Sequence, residues 1–192
     1  MRAFLAVVPP PQVVDALLDH VGPRRDALAA EGLWRWTRPE HLHLTLAFLP
    51  DLAEWREEEL LESGAGYAAR QDPLELRLVG AGAFPDPGGA RVLWAGVEES
   101  VPGTLGSWSK GLRAVASHAG AGVDGTRFSP HVTVARASGR PHPAGHLLQA
   151  LDTLRTPPWR AEEVVLIGSH LGQGPGGTPR YETRHTWEIG SS

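Results

Sequence analysis

Two short stretches of the chain carry the same order of residue types. Leu42-His43-Leu44-Thr45-Leu46-Ala47-Phe48 and Pro130-His131-Val132-Thr133-Val134-Ala135-Arg136 each read histidine, apolar, threonine, apolar, alanine. Side chains in a strand alternate between its two faces. The alternation puts His43, Thr45 and Ala47 on one face and Leu44 and Leu46 on the other. It likewise groups His131 with Thr133 and turns Val132 and Val134 toward a core. A single His-x-Thr in a strand is an ordinary sheet-surface feature. Two copies with the same alternation and the same trailing alanine point to one shared site, with catalytic groups held on rigid, aliphatic-backed elements.

Two histidines at one site suit a reaction that takes a proton on one side and gives one on the other. Opening a cyclic phosphodiester is such a reaction: water is deprotonated on one side of phosphorus and the leaving alkoxide is protonated on the other. The attacking and leaving oxygens lie roughly in line, so imidazoles placed by a pseudo-twofold axis would straddle that line. With an unperturbed pKa of about 6.5, histidine serves in either protonation state near neutral pH. Thr45 and Thr133 would donate hydrogen bonds to the non-bridging oxygens as their charge grows. This chemistry calls for no metal and no cofactor.

The rest of the chain must position these groups. Its 192 residues are 41% apolar and 21% charged, enough for a sizeable core in one domain or two small lobes. Cysteine is absent, which removes disulfide scaffolds, zinc ribbons and thiol nucleophiles. A net charge of −4 argues against a general binder of duplex nucleic acid. No apolar run approaches the roughly 18 residues of a membrane span, and Met1 to Val8, running into Pro9-Pro10-Pro11, is too short for a signal peptide. A soluble, cytoplasmic protein is expected. Lys110 is the one lysine, so nearly all the positive charge is arginine, which suits bidentate recognition of carboxylate or phosphate.

Between frequent Gly and Pro breaks the chain reads as alternating strands and helices. Strands are expected at Arg2 to Val8, Trp34 to Trp36, Leu42 to Leu49, Leu74 to Val79, Val92 to Val97, Val132 to Ala135, Val164 to His170 and Tyr181 to Ile189. Helices are expected at Gln12 to Ala30, Leu52 to Gln71, Leu105 to His118 and Ala144 to Leu154, with Gly80 to Gly89 and Gly172 to Pro179 as connections. The repeated strand–helix order suggests two similar halves, and no Gly-x-Gly-x-x-Gly follows a strand as a dinucleotide fold would require.

On these residues the chain resembles the RNA 2′,3′-cyclic phosphodiesterases, also called 2′-5′ RNA ligases, of the two-histidine phosphoesterase superfamily. The resemblance runs through Phe4-Leu5-Ala6 with Pro9-Pro10, Arg35-Trp36, Pro39 to Phe48, Gly82-Ala83-Phe84-Pro85, Arg91-Val92-Leu93-Trp94, Arg127 to Arg136, Leu171-Gly172, Gly177 and Arg180-Tyr181-Glu182. Pro50 stands where the family usually has glycine, and Val132 and Val134 replace commoner leucines; these departures touch packing. The resemblance implies an α+β fold over residues 1–192. Two pseudo-symmetric lobes, with antiparallel-rich sheets and outer helices, would flank a central cleft as one bilobal domain. It implies hydrolysis of an RNA or nucleotide 2′,3′-cyclic phosphate to a 2′-phosphomonoester. Strand parity leaves the two histidine roles open; the resemblance makes His43 the proton donor to the leaving 3′ oxygen and His131 the proton acceptor that activates water. The expected partners are RNA ends or small nucleotides, with no membrane or duplex DNA, and the expected state is a monomer. The alternatives are 2′-5′ ligation, the reverse reaction, and a non-catalytic RNA- or nucleotide-binding module.

The resemblance also implies that Arg136 contacts phosphate, yet strict alternation turns it toward the Val132/Val134 face. Either the strand ends or bulges there, or Arg136 is structural. Phe48 occupies the same place in the first copy and reads as packing, with base stacking as the alternative. The seven tryptophans read mostly as core, with Trp34 or Trp36, beside the first motif, as the candidate to meet a base. His41 with His43, and His142 with His146, have spacings that invite a metal, but no acidic ligand stands at a matching distance and Pro141, Pro143 and Gly145 disfavour a helix there. The glutamates from Glu54 to Glu62 read as a solvated helix face. Gly172 to Pro179 reads as a surface loop, with closure over a substrate as the alternative.

Overall fold

Strands and helices alternate along residues 1–190, the part of the chain described by a computed structural model. In order they are β1 (Ala3–Val7), α1 (Pro11–Leu28), β2 (Trp34–Trp36), β3 (Leu44–Leu49), α2 (Glu57–Ala68), β4 (Leu74–Phe84), β5 (Val92–Glu99), α3 (Thr104–His118), β6 (His131–Ala137), α4 (Gly145–Leu151), β7 (Trp159–Ala161), β8 (Glu163–His170) and β9 (Arg180–Glu188). Pro11 opens α1, where its missing N–H has no intrahelical partner to lose. Among the described residues no helix is long and apolar enough to cross a membrane.

All strand pairs are antiparallel, in the order β7-β4-β5-β6-β3-β1-β8-β9, with β2 paired to β6 beside β3. The join in the middle is slight. β3 and β6 pair at Leu44 and Val132 alone, so the two expected sheets are present as the halves of one curled ladder. α2 and α3 pack on the half that holds β3 and β9, and α4 packs on β4. α1 reaches the same half as α4 through Leu17 and Val21, which face Val134, Ala81 and Leu154. The halves do not follow chain order. The C-terminal β8 and β9 complete the half begun by β1 and β3, β2 crosses to β6, and α3, which follows β5, covers β3.

Several boundaries differ from the sequence expectation. β4 continues through Gly80, at φ +59°, to Phe84, so half of the expected Gly80 to Gly89 connection is strand, with the register shifting at that glycine. The helix expected from Leu52 begins with a 3₁₀ turn at Glu54–Arg56, and Leu52 is fully buried ahead of it. β7 was not expected, because it is three residues long and follows Pro157-Pro158.

The two motif strands each contain a β-bulge at the same place. Along β1, Leu5 faces Ala47 and Ala6 faces Thr45, which leaves Leu46 as the extra residue. Along β5, Leu93 faces Ala135 and Trp94 faces Thr133, which leaves Val134 as the extra residue. Two successive residues therefore point inward in each strand, Leu46 with Ala47 and Val134 with Ala135, all buried. Ala47 thus does not share a face with His43, as strict alternation would have it. The residues that follow, Phe48 and Arg136, turn onto the His/Thr face instead. Each bulged carbonyl finds a donor. Val134 O accepts from Thr37 N at 2.9 Å, and Leu46 O accepts from the Ser109 hydroxyl at 2.6 Å. Ser109 is 1% exposed and lies among apolar neighbours on α3; holding this bulge accounts for a hydroxyl there.

Ser109→Ala leaves the Leu46 carbonyl buried and unpaired, and is expected to destabilise the fold by about 1–3 kcal/mol. Ser107→Ala, on the exposed side of the same helix, is expected to change it by less than about 0.5 kcal/mol. Urea unfolding of the two variants checks both values.

Candidate active site

The antiparallel pairing of Leu44 with Val132 fixes what surrounds it. Both side chains are fully buried. Continuing the register of that one pair by a residue in each direction sets His43 opposite Thr133 and Thr45 opposite His131. The two histidines are then diagonal neighbours. In a regular antiparallel pair such positions lie about 7–8 Å apart, a gap suited to one phosphoryl group. The same pair supplies a local twofold axis, so each half presents its imidazole to the other half's threonine.

Both imidazoles are oriented by the same bond. His43 Nδ1 lies 2.6 Å from His41 O, and His131 Nδ1 lies 2.7 Å from Ser129 O. A carbonyl oxygen only accepts, so Nδ1 carries the hydrogen in each ring and Nε2 is the nitrogen offered to a ligand. Aromatic rings back each one. Phe4 stacks on His43 at 4.4 Å and Tyr181 meets it edge-on at 5.6 Å; Phe84 meets His131 edge-on at 5.0 Å and Trp94 stands at 6.2 Å. Trp94 lies flat over Gly82, where a Cβ would collide with the indole.

This setting lowers the proton affinity of both rings. Burial pushes His43 down to about 4, opposed by its bond to the His41 carbonyl and reinforced by the Arg136 charge. Burial also holds His131 below its ordinary 6.5, again opposed by its carbonyl bond and reinforced by Arg136. At neutral pH, then, both imidazoles of the free protein are uncharged.

His43, Thr133 and Arg136 line a cavity of about 320 Å³. Thr45 and His131 share the same sheet face but lie outside that lining. Arg136 reaches the cavity because of the bulge at Val134, so strand parity does not turn it toward the core as strict alternation would. Phe48, its counterpart, packs with Phe4 and Tyr181 beneath the Arg2 guanidinium, 4.5 Å from the ring. Of the tryptophans expected near a base, Trp36 lines the cavity, while Trp34 packs edge-on against the buried His142.

The cavity also takes in His41, which the sequence offered only as a metal-ligand spacing with His43, and Arg35, Thr37, Arg38 and Tyr181, which strand patterns did not single out. Tyr181 rests on His41 at 4.4 Å and on the edge of Phe4 at 5.1 Å. Burial raises the affinity of its phenol for its proton, so it remains a neutral hydroxyl. Its place became visible only with the pairing of β8 and β9. The Gly172 to Pro179 connection contributes a wall through Thr178 and Pro179, and Arg38 donates to Pro175 O at 3.3 Å across it. His41 sits in a 3₁₀ turn and His142 outside α4. Among the described residues no group of three or more His, Asp or Glu side chains is arranged to hold a metal ion.

Known proteins share this arrangement of chain. The family model described as LigT like phosphoesterase matches residues 7–94 and 96–176. A Methanothermobacter thermautotrophicus protein named RNA 2′,3′-cyclic phosphodiesterase is 32% identical over 178 residues, 89% of this chain and 91% of the relative. One of the same name from Thermus thermophilus is 34% identical over 181 residues, 89% and 83%. A third, from Geobacillus stearothermophilus, is 31% identical over 159 residues; that match takes in 82% of this chain but only about half, 48%, of the relative's length. Among solved structures, one from Thermus thermophilus superposes with a TM-score of 0.78 at 29% identity over 100% of both chains. Escherichia coli LigT in its apo form gives 0.72 at 25% identity, covering 99% of this chain and 98% of the other.

The burial of the two rings has a direct readout. In NMR titrations of the free protein, His43 is expected to stay neutral until the pH falls to about 4, and His131 to take up its proton below pH 6.5. Both should be Nδ1–H tautomers above those points. A midpoint for His43 at 6.5 or higher contradicts the burial described.

Proposed function

The chain belongs to the LigT like phosphoesterase family, and from that footing we propose that it hydrolyses RNA or nucleotide 2′,3′-cyclic phosphates to 2′-phosphomonoesters by general acid/base catalysis between His43 and His131. The observation that carries this reading is the paired geometry. Two imidazoles with the same tautomer and opposite provenance stand diagonally across one strand pair, with Arg136 turned onto their face.

In this mechanism His131 Nε2 accepts a proton from a water molecule as its oxygen bonds to phosphorus. The bond from phosphorus to the 3′ oxygen breaks on the opposite side, and His43 Nε2 gives that oxygen a proton. The 2′ ester bond is kept. Local symmetry does not by itself say which histidine gives the proton and which takes it, so the donor and acceptor roles follow the family resemblance. Thr45, Thr133 and Arg136 donate hydrogen bonds to the non-bridging oxygens, where negative charge accumulates. Burial leaves His43 neutral in the free protein, and the anionic phosphate favours its protonated form on binding. The acid thus becomes charged only beside its substrate.

The scheme uses no metal or cofactor. The proposal takes the chain as one bilobal domain, a reading supported by the continuous ladder across both halves, and as a monomer acting in the cytoplasm on RNA ends or small nucleotides.

With EDTA present, a 2′,3′-cyclic nucleotide is expected to be opened to the 2′-phosphate alone; a 3′-phosphate product, or opening only after a divalent metal is added, overturns the mechanism. His43→Ala and His131→Ala are each expected to lower kcat by roughly 10²–10⁴-fold while binding is largely kept. A wild type that binds nucleotides without turnover, with affinity lost in both variants, would make the cleft a binding module.

A further inference from the structure

Arg35 of β2 stands directly opposite Arg136 of β6 in the register of those strands. Like charges facing each other across an antiparallel pair destabilise a sheet. Among the described residues neither guanidinium makes an ion pair. Both line the cavity beside His43, together with Arg38 and without any aspartate or glutamate, in a chain whose net charge is −4. Arg38 has neighbours of its own, the Pro175 carbonyl at 3.3 Å and Glu40 at 4.0 Å. Arg35 is exposed and uncommitted.

A cyclic phosphate brings one negative charge, which Arg136 and the two threonines already meet. It leaves Arg35, one strand further across and about 4.8 Å from its neighbour, with nothing to balance it. The last nucleotide of an RNA carries a second anion on the same ribose, the 5′-phosphate that joins it to the chain; a free nucleoside cyclic phosphate lacks it. A guanidinium offers phosphate a planar, two-pronged set of donors, and an anion between two facing guanidiniums removes their repulsion. Resting on the cyclic phosphodiesterase reading, we infer that Arg35, paired with Arg136, forms a second phosphate subsite that takes the 5′-phosphate of the terminal nucleotide and so selects RNA ends over free nucleoside cyclic phosphates.

The test compares adenosine 2′,3′-cyclic phosphate with and without a 5′-phosphate. In the wild type kcat/KM is expected to be about tenfold higher for the 5′-phosphorylated substrate, the size of one charge-assisted hydrogen bond, and the advantage to shrink as KCl is added. Arg35→Gln is expected to bring the ratio of the two kcat/KM values to about one, and Arg35→Lys to retain part of it. A wild-type ratio of one, or a ratio that Arg35→Gln leaves in place, overturns the subsite even when both substrates are opened. If the wild type opens neither, the catalytic reading fails and equilibrium binding decides the subsite. Adenosine 2′,5′-bisphosphate should then bind about tenfold tighter than adenosine 2′-monophosphate to the wild type, and equally to Arg35→Gln; equal binding to the wild type overturns it.

Discussion

One strand contact governs the molecule: the meeting of Leu44 and Val132, where a five-strand and a four-strand array become a single sheet. Because the pair is antiparallel it carries its own twofold axis, and every group flanking it is duplicated. Beneath it lie two fully buried aliphatic side chains; above it lie two imidazoles and two hydroxyls. A slip of one residue in this register would send the histidines into the core and the aliphatic pair into the cleft. The hydrophobic effect that holds Leu44 and Val132 inside is therefore also what holds His43 and His131 at the surface of the cleft.

The bulges at Leu46 and Val134 break that symmetry usefully. Each turns the following residue onto the cleft face, but the residues differ. One half presents Phe48 to a packed aromatic cluster, and the other presents Arg136 to the cavity. Positive charge thus gathers on the β6 side, where β2 adds Arg35 opposite Arg136. The supports are also unlike. A backbone N–H from Thr37 holds one bulge and the Ser109 hydroxyl holds the other, so similar geometry is reached by separate means in the two halves.

Much of this was readable in the sequence because a strand's period of two is rigid over short runs. The pairing of histidine with threonine, and the aliphatic residues behind them, followed directly from Leu44, Val132 and their neighbours. Ala47 and Arg136 escaped strict alternation because a bulge lies between them and the histidines. The adjacent apolar pairs Leu46-Ala47 and Val134-Ala135 were its only local trace. Tyr181 and Arg35 were hidden for a different reason. Their places depend on which distant strands pair, β8 with β1 and β2 with β6, and non-local pairing leaves no mark in local periodicity. Where Gly80 permits a bulge within β4, the same glycine had suggested a break.

The interleaving of the two halves bears on how the chain comes into being. β1, which precedes β8 along the chain by most of the fold, is flanked by β3 on one side and by β8 on the other. Until β8 has been synthesised, β1 keeps an open edge with unpaired backbone groups, and β9 with Tyr181 cannot be laid down beyond it. The nascent polypeptide therefore carries both histidines before it carries a finished cleft, and a truncated translation product would have both His-x-Thr motifs without the wall that encloses them.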